Sequence, residues 1–328
     1  MSTESTRYLP FASELDWRIA LWAVKEDVSQ GAFNRLLAIP GVRDSLSPRP
    51  LVQSISLPHC QVYERLGLSF KNTYHMHKTI DKLDKRAGEW HTERMRYPDT
   101  PDEEHVLYFR EPLEAIRSLW GDPTLAQHLV YRPSQVFADA TRADRVYSEM
   151  WTGKYKQQNK LPAGATLASL IVASDKTQLT NFSGGKSAYP VYLTLGNLPK
   201  AIRRKPSMHA CVLIAYLPVS KVSKGSLTVL EARNRQARLF HEAMRHIFEP
   251  LIDAGLSGIE MVGGDGYVRR VHPVLAAYVA DYPEQCLVTC SKNGTCPKCQ
   301  CPAEKLGDPV PAEPRSADWT RGIMESAK

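Results

Sequence analysis

The sequence predicts a mixed α/β (α+β) protein, and two kinds of pattern carry that prediction. Short apolar runs rich in β-branched residues, at 167–173 and 210–217, indicate strands with both faces buried. Between Leu239 and Leu251, by contrast, apolar residues recur four apart, which is the spacing of one face of a helix. At 328 residues the chain is long enough for more than one domain.

In the N-terminal region, predicted at 1–160 as mixed and mostly helical, two helix boundaries stand out. Ser13, with Asp16 three residues later, predicts an N-cap, and Pro112 predicts the start of a helix that ends at Gly121. The stretch 43–63 has several prolines and no period, so it is predicted to be an insertion.

The second half has a definite order of elements. Strands are predicted at 167–173, 189–195 and 210–217, a helix at 230–254, a strand at 258–262 and a helix at 273–280. Three antiparallel strands, a crossover helix and a fourth strand are the topology of a ribonuclease H-like core. This core is predicted at 161–285, followed by a cysteine-rich segment at 286–328.

Acids stand at the ends of the predicted first and fourth strands, as Asp175 and Asp265. Because the topology brings strand four beside strand one, we expect the two carboxylates to lie a few ångströms apart and to share Mg²⁺ or Mn²⁺. Such a site can activate a nucleophile and stabilise a leaving oxygen. A full site needs a third acid, and no element for it is found. Taken singly, each acid is better explained as a cap or turn residue.

Five of the seven cysteines fall between Cys286 and Cys301. The spacing of Cys286, Cys290, Cys296 and Cys299 predicts a structural zinc site, with Cys296-Pro-Lys-Cys299 as its knuckle. A redox C-x-x-C pair is the competing interpretation. The fourth zinc ligand is left open between Cys286 and a residue outside this chain.

The net charge of +7 is compatible with a polyanionic partner. Seven basic residues are predicted to contact DNA phosphates around the acids: Lys176, Lys200, Arg203, Arg204, Lys205, Arg269 and Arg270. A solvated basic face is an equal alternative. No apolar run reaches the length of a membrane span and no signal-peptide pattern is found, so no membrane partner is expected.

Long motifs in the chain resemble the Plavaka transposases of basidiomycete fungi, within the KDZ and CACTA-like group of DDE transposases. They are PFASELDWRIA (10–20), LLAIPGV (36–42), LGLSFKNT (66–73), YSEMWTG (147–153), the stretches 173–206 and 263–290, and GTCPKC (294–299). The resemblance implies a nuclear enzyme that cuts and joins transposon-end DNA with Mg²⁺. It matches Asp175 and Asp265 to the first two acids and the cysteines to a zinc-binding insertion before the third.

The resemblance also places the third acid beyond Lys328 and treats 43–63 as a translated intron or insertion in a truncated element. Two functions therefore stay open. One is metal-dependent DNA strand cleavage and transfer, with this chain expected to be incomplete by itself. The other is a catalytically inactive, zinc-containing remnant that binds DNA or protein. A homo-oligomer is compatible with both.

Overall fold

The structure, a computed structural model, describes residues 8–39, 66–83, 86–153, 161–162, 164–180, 186–222, 227–310 and 312–326. The insertion predicted at 43–63 lies outside these residues. The chain divides into two compact units, Met1–Lys85 and Arg86–Lys328. Within the described residues, no helix is both long enough and apolar enough to cross a bilayer.

The described residues of the N-terminal unit form three helices: α1 (Glu14–Lys25), α2 (Gln30–Leu37) and α3 (Thr73–Ile80). Each begins after a residue whose side chain accepts a hydrogen bond from the backbone N–H three residues later: Ser13, Ser29 and Asn72. Such caps satisfy N–H groups that have no partner inside the helix. The predicted Ser13 cap is confirmed. Phe33 and Phe70, both fully buried, pack together in the core of this unit.

The second unit is built on one mixed sheet of seven strands. Their bounds are β1 (His91–Tyr97), β2 (Thr100–Phe109), β5 (Thr166–Ser174), β8 (Pro190–Leu195), β9 (Cys211–Tyr216), β10 (Ile259–Val262) and β11 (Val268–Val279). The order is β1-β2-β9-β8-β5-β11-β10, and only the pair β5 and β11 is parallel. Two-residue strands form two further pairs, β3 (Val136–Phe137) with β4 (Arg145–Val146) and β6 (Thr177–Gln178) with β7 (Ser187–Ala188).

The helices of this unit have the bounds α4 (Pro112–Trp120), α5 (Pro123–Ala126), α6 (Lys200–Arg203), α7 (Val229–Phe248), α8 (Pro250–Ser257), α9 (Tyr282–Val288) and α10 (Ala317–Ser326). Helices α4 and α8 contact strands of the sheet, and α7 packs into the same core. Trp120 of α4 and Ile247 of α7 are fully buried in one core with Leu170 of β5 and Leu193 of β8. The predicted α4, with Pro112 at its start and Gly121 as its C-cap, is confirmed. A break at Glu249, directly before Pro250, divides the predicted helix at 230–254 into α7 and α8.

The longest strand, β11, contradicts the predicted order of elements. The sequence predicts a helix at 273–280, but β11 pairs with β5 from Val271 opposite Thr166 to Val279 opposite Ala173. The strand predicted at 258–262 exists as β10, yet it is an edge strand that pairs with β11 and not with β5. Pro273 is tolerated inside β11 because it lies beyond Val271, the last residue that β10 pairs with.

Candidate active site

Two acids meet where the parallel strands β5 and β11 end. Ala173 pairs with Val279 near the carboxyl ends of these strands, and Asp175 and Asp281 each follow two residues later. Both acids are exposed. Because neighbouring strands lie about 4.8 Å apart, Asp175 and Asp281 follow adjacent strand ends, where both are exposed to solvent.

A buried hydrogen-bond network adjoins this pair. Ser174 Oγ lies 2.5 Å from Tyr278 Oη and donates to Glu284 Oε1. The Glu284 carboxylate is also hydrogen-bonded to Tyr189, which immediately precedes β8. Ser174 and Glu284 are both buried. The network therefore ties the ends of β5 and β11 to the first turn of α9.

The surroundings of Glu284 shift its titration. Burial raises the pKa of Glu284, and the charges of Asp281 and Asp175 raise it further, whereas hydrogen bonds with Ser174 and Tyr189 lower it. Burial also raises the pKa of Tyr278 to about 12. Glu284 is thus a third carboxyl group, close enough for the charges of Asp175 and Asp281 to act on it. Because Glu284 is buried and hydrogen-bonded, it can hold the backbone that carries these two exposed acids in place.

Helix α9 fixes the position of Asp281. Asp281 is its N-cap, and Oδ1 accepts the backbone N–H of Glu284 at 3.0 Å. Asp281 is followed two residues later by Pro283 and three residues later by Glu284. This pattern predicts the start of a helix from the sequence alone. Asp281 and Glu284 are absent from the predicted site because a helix, and not a strand end, is predicted for the residues before them.

Asp265 lies at the opposite end of the sheet. It is in the turn between β10 and β11, and β11 reaches the first residue of β5, Thr166, only at Val271. The nine residues of β5, roughly 30 Å at about 3.3 Å per residue, separate this end from Asp175. The prediction that Asp175 and Asp265 lie a few ångströms apart is therefore wrong, because β11 and not β10 neighbours β5.

Both carboxylate oxygens of Asp265 are engaged locally. Arg269 donates from Nη1 to Oδ1 at 2.8 Å and from Nη2 to Oδ2 at 2.7 Å, and the N–H of Tyr267 donates to Oδ1 at 3.2 Å. The Arg269 guanidinium also lies over the ring of Tyr131, 3.7 Å from its centroid. The hydrogen bond with Arg269 is the main cause that lowers the pKa of Asp265 to about 2. In this arrangement Asp265 closes the β10–β11 turn.

Most of the predicted DNA-binding residues lie away from Asp175. Lys176 directly follows it. Because β8 is antiparallel to β5, it runs away from Asp175 and ends at Leu195 opposite Leu170, and Asn197 then reaches the carbonyl oxygen of Leu167 near the far end of the sheet. The segment beyond Asn197 carries Lys200, Arg203, Arg204 and Lys205. The first residues of β11, with Arg269 and Arg270, lie at that same far end. The predicted basic rim therefore does not surround Asp175.

Cys296 and Cys299, the two cysteines of the predicted knuckle, are held by hydrogen bonds in one turn. The N–H of Lys298 donates to Cys296 Sγ at 3.4 Å, and this bond, helped by the Cys299 thiol, lowers the pKa of Cys296. Arg315 Nε donates to the carbonyl oxygens of Cys296 and Cys299 at 2.8 and 3.0 Å. These contacts hold the two cysteines in one turn.

The other two predicted zinc ligands are placed differently. Cys286 is buried on α9, while Cys290 Sγ lies 3.4 Å from Nε2 of His241 on α7. In the part of the chain that the structure describes, no group of three or more His, Cys, Asp or Glu side chains is arranged to hold a metal ion. The zinc set therefore stays a prediction.

The donor chemistry nevertheless distinguishes the two regions. Asp175 and Asp281 offer carboxylate oxygens, and Mg²⁺ is commonly bound by one or two carboxylates while it keeps several waters. The thiols of Cys296 and Cys299 are ligands that suit zinc. The acid pair therefore fits a hard divalent cation, and the knuckle fits a softer one.

Comparison with known families agrees with the motifs in the sequence. The model of the Plavaka transposase family matches residues 70–328. Comparisons with curated proteins and with solved structures found no match. The family match takes in the whole seven-stranded sheet, the acid pair Asp175 and Asp281, and the cysteine segment. The chain belongs to the Plavaka transposase family.

Proposed function

We propose that this protein carries the catalytic core of a transposase, which cuts and joins DNA at transposon ends with a divalent metal ion held by Asp175 and Asp281. The observation that carries the proposal is the placement of these two exposed acids at the adjoining ends of two parallel strands. Membership of a transposase family implies DNA as the substrate.

The strand order supports a ribonuclease H-like core. β5, β8 and β9 are consecutive antiparallel strands, and α7 and α8 then lead across to β10 and β11. β11 lies beside β5 and parallel to it, as the fourth strand of such a core does. In this interpretation β10 is an added edge strand, and β1 and β2 extend the opposite edge.

The residues at the acid end have separate tasks in this proposal. Asp175 and Asp281 bind the cation, and Mg²⁺ or Mn²⁺ so bound would activate the attacking oxygen and stabilise the leaving one. Glu284 and Ser174 hold the two strand ends at a fixed spacing through their buried hydrogen bond. Lys176 is placed to contact a phosphate next to Asp175. A third acid, which the resemblance places after the cysteines, stays a prediction.

Zinc at the cysteine segment is a second part of the proposal. Cys296 and Cys299 would supply two thiolates from the knuckle, and Cys286 and Cys290 are the further predicted ligands. Support comes from the hydrogen bonds that Arg315 makes to the knuckle carbonyls, because they fix the turn from which both thiols project. Nuclear location and a homo-oligomer also stay predictions.

A catalytically inactive DNA- or protein-binding remnant is the second candidate function. One observation favours it: among the described residues, no third metal ligand is arranged together with Asp175 and Asp281. A chain of this kind would bind DNA with no dependence on Asp175 or Asp281 and would leave its strands intact.

A nicking assay separates the two functions. The purified chain is incubated with supercoiled plasmid carrying transposon ends, with Mg²⁺, with Mn²⁺ or with EDTA. The enzyme proposal predicts nicking that needs a divalent ion, is lost in Asp175→Asn and Asp281→Asn, and persists in Asp265→Asn. Nicking that persists in both Asp175→Asn and Asp281→Asn would contradict the assigned site. A wild type that binds DNA but does not nick it would favour the catalytically inactive remnant.

A further inference from the structure

A basic groove runs between α7 and the segment that begins with α9. Its volume is about 1020 Å³. Arg233, Arg238 and His241 line it from α7, and Pro283 and Lys292 line it from the other side. Basic residues on a long helix usually form a solvated face, so the sequence by itself does not mark these residues as a binding surface.

The groove starts beside the acid pair. Pro283, in its lining, is two residues after Asp281. The chain also enters α7 from that end of the sheet, because β9 runs parallel to β5 and finishes near the level of Ser174. A strand lying in the groove would therefore pass next to Asp175 and Asp281.

Three exposed cations line the groove without an ion-pair partner among the described residues. They are Arg233, Arg238 and Lys292. Arg235, which also lines the groove, is different because it pairs with Asp99 and lies over the ring of Tyr97. The groove therefore presents positive charge that the protein itself does not neutralise.

A single acid among the lining residues, Glu231, does not balance these three cations. Glu231 accepts hydrogen bonds from the backbone N–H and the hydroxyl of Thr228, both at 2.7 Å, and so caps α7. Asn234 and Asn293 in the lining add neutral hydrogen-bond donors of the kind that contact phosphates and sugars.

We propose that this groove, lined by Arg233, Arg238 and Lys292, binds the phosphate backbone of DNA next to the acid pair. The inference rests on the proposed function for what happens at Asp175 and Asp281, but the binding itself needs neither acid. It assigns DNA contact to a surface different from the basic segment at Lys200–Lys205, which lies at the far end of the sheet.

The test is a binding titration of the full chain in EDTA, so that no cleavage contributes. A fluorescein-labelled DNA duplex of mixed sequence is titrated by anisotropy at several salt concentrations. The variant Arg233→Ala/Arg238→Ala/Lys292→Ala is compared with Lys200→Ala/Arg204→Ala/Lys205→Ala, which removes the same number of exposed cations. The groove variant is expected to bind about tenfold or more weakly, and the far-end variant within about twofold of wild type.

The salt dependence gives a second readout. Each phosphate contact contributes about 0.9 to the slope of log K against log salt, so the groove variant should lose about two to three units of slope. The charge-preserving variant Arg233→Lys/Arg238→Lys/Lys292→Arg should keep most of the affinity and slope. If the triple alanine variant fails to fold, Arg238→Ala alone should reduce the slope by about one.

Three results would contradict DNA binding by the groove: wild-type affinity in the alanine variants of the groove, equal losses of affinity in the two triple alanine variants, or no DNA binding by the wild type. The nicking assay tests the proposed function separately from this binding assay. Asp175→Asn and Asp281→Asn should bind DNA like the wild type in EDTA, so DNA binding by the groove can be confirmed even if the chain never nicks DNA.

Discussion

Asp175 and Asp281 hold equivalent positions at the carboxyl ends of neighbouring parallel strands, each two residues beyond the pair formed by Ala173 and Val279. Parallel pairing brings like ends together, so the sheet itself sets the spacing of these acids. Asp265 precedes the same strand, β11, and is therefore carried to the other end of the sheet.

Removing the buried carboxylate at Glu284 should destabilise the fold. Glu284→Ala removes the carboxylate that accepts from the hydroxyls of Ser174 and Tyr189, and an unsatisfied buried group costs about 1–3 kcal/mol. Glu284→Gln keeps an acceptor oxygen and should lose less. Urea unfolding measures the difference, with Glu260→Ala, an exposed glutamate on β10, as the control. Equal stability of Glu284→Ala and wild type would show that the network does not hold these strand ends.

Glu284 should also give the stability a pH dependence. Its pKa is raised in the folded protein, so the folded state holds the proton more tightly than the unfolded chain. Its contribution is full below the ordinary value of 4.5 and is lost as the pH rises through the raised pKa. The free energy of unfolding of wild type relative to Glu284→Gln should therefore fall as pH rises above 4.5. A difference that stays constant or rises with pH would contradict the burial of this carboxyl group.

The Asp265–Arg269 pair makes the opposite prediction. Because the pKa of Asp265 is lowered to about 2, its contribution to stability is present above the ordinary value of 3.8 and is lost as the pH falls through about 2. A carbon NMR titration of the Asp265 carboxyl group should give a midpoint near 2, and Arg269→Gln should raise it toward 3.8. A midpoint near 3.8 in the wild type would leave Asp265 free for another role.

Zinc content tests the cysteine segment. We expect about one zinc ion per chain by elemental analysis, because a tetrahedral thiolate site holds one ion. Cys296→Ser/Cys299→Ser should abolish it, and Cys211→Ser, on β9 and away from the segment, should not. Cys290→Ser tests whether Cys290 is a zinc ligand. Loss of zinc would support the predicted set of four cysteines, whereas retained zinc would show that Cys290 contacts His241 without binding the metal. A metal-free wild type would contradict the zinc site.

Local patterns predicted much of this fold correctly. The buried strand β5 and the strands β8 and β9 follow from β-branched apolar runs, and the Ser13 cap and the Pro112 helix start follow from residue chemistry at helix ends. Each of these signals acts within a few residues, which is why the sequence alone carries it.

The error at β11 had a long-range cause. Leu275 and the alanines that follow favour a helix locally, and Pro273 argues against an inner strand. Pairing with β5, about a hundred residues earlier in the chain, overrides both preferences. That one wrong element put β10 beside β5 and made Asp265 the partner of Asp175, so the true neighbour, Asp281, was missed.

The central claim is that Asp175 and Asp281, and not Asp265, bind the divalent ion. Mn²⁺ titration followed by electron paramagnetic resonance measures this without requiring catalysis. Asp175→Asn and Asp281→Asn should each weaken Mn²⁺ binding about tenfold or more, since even outer-shell changes commonly reduce metal affinity by about 10–100-fold, while Asp265→Asn should bind like the wild type. Weakened binding in Asp265→Asn together with unchanged binding in Asp281→Asn would contradict the account.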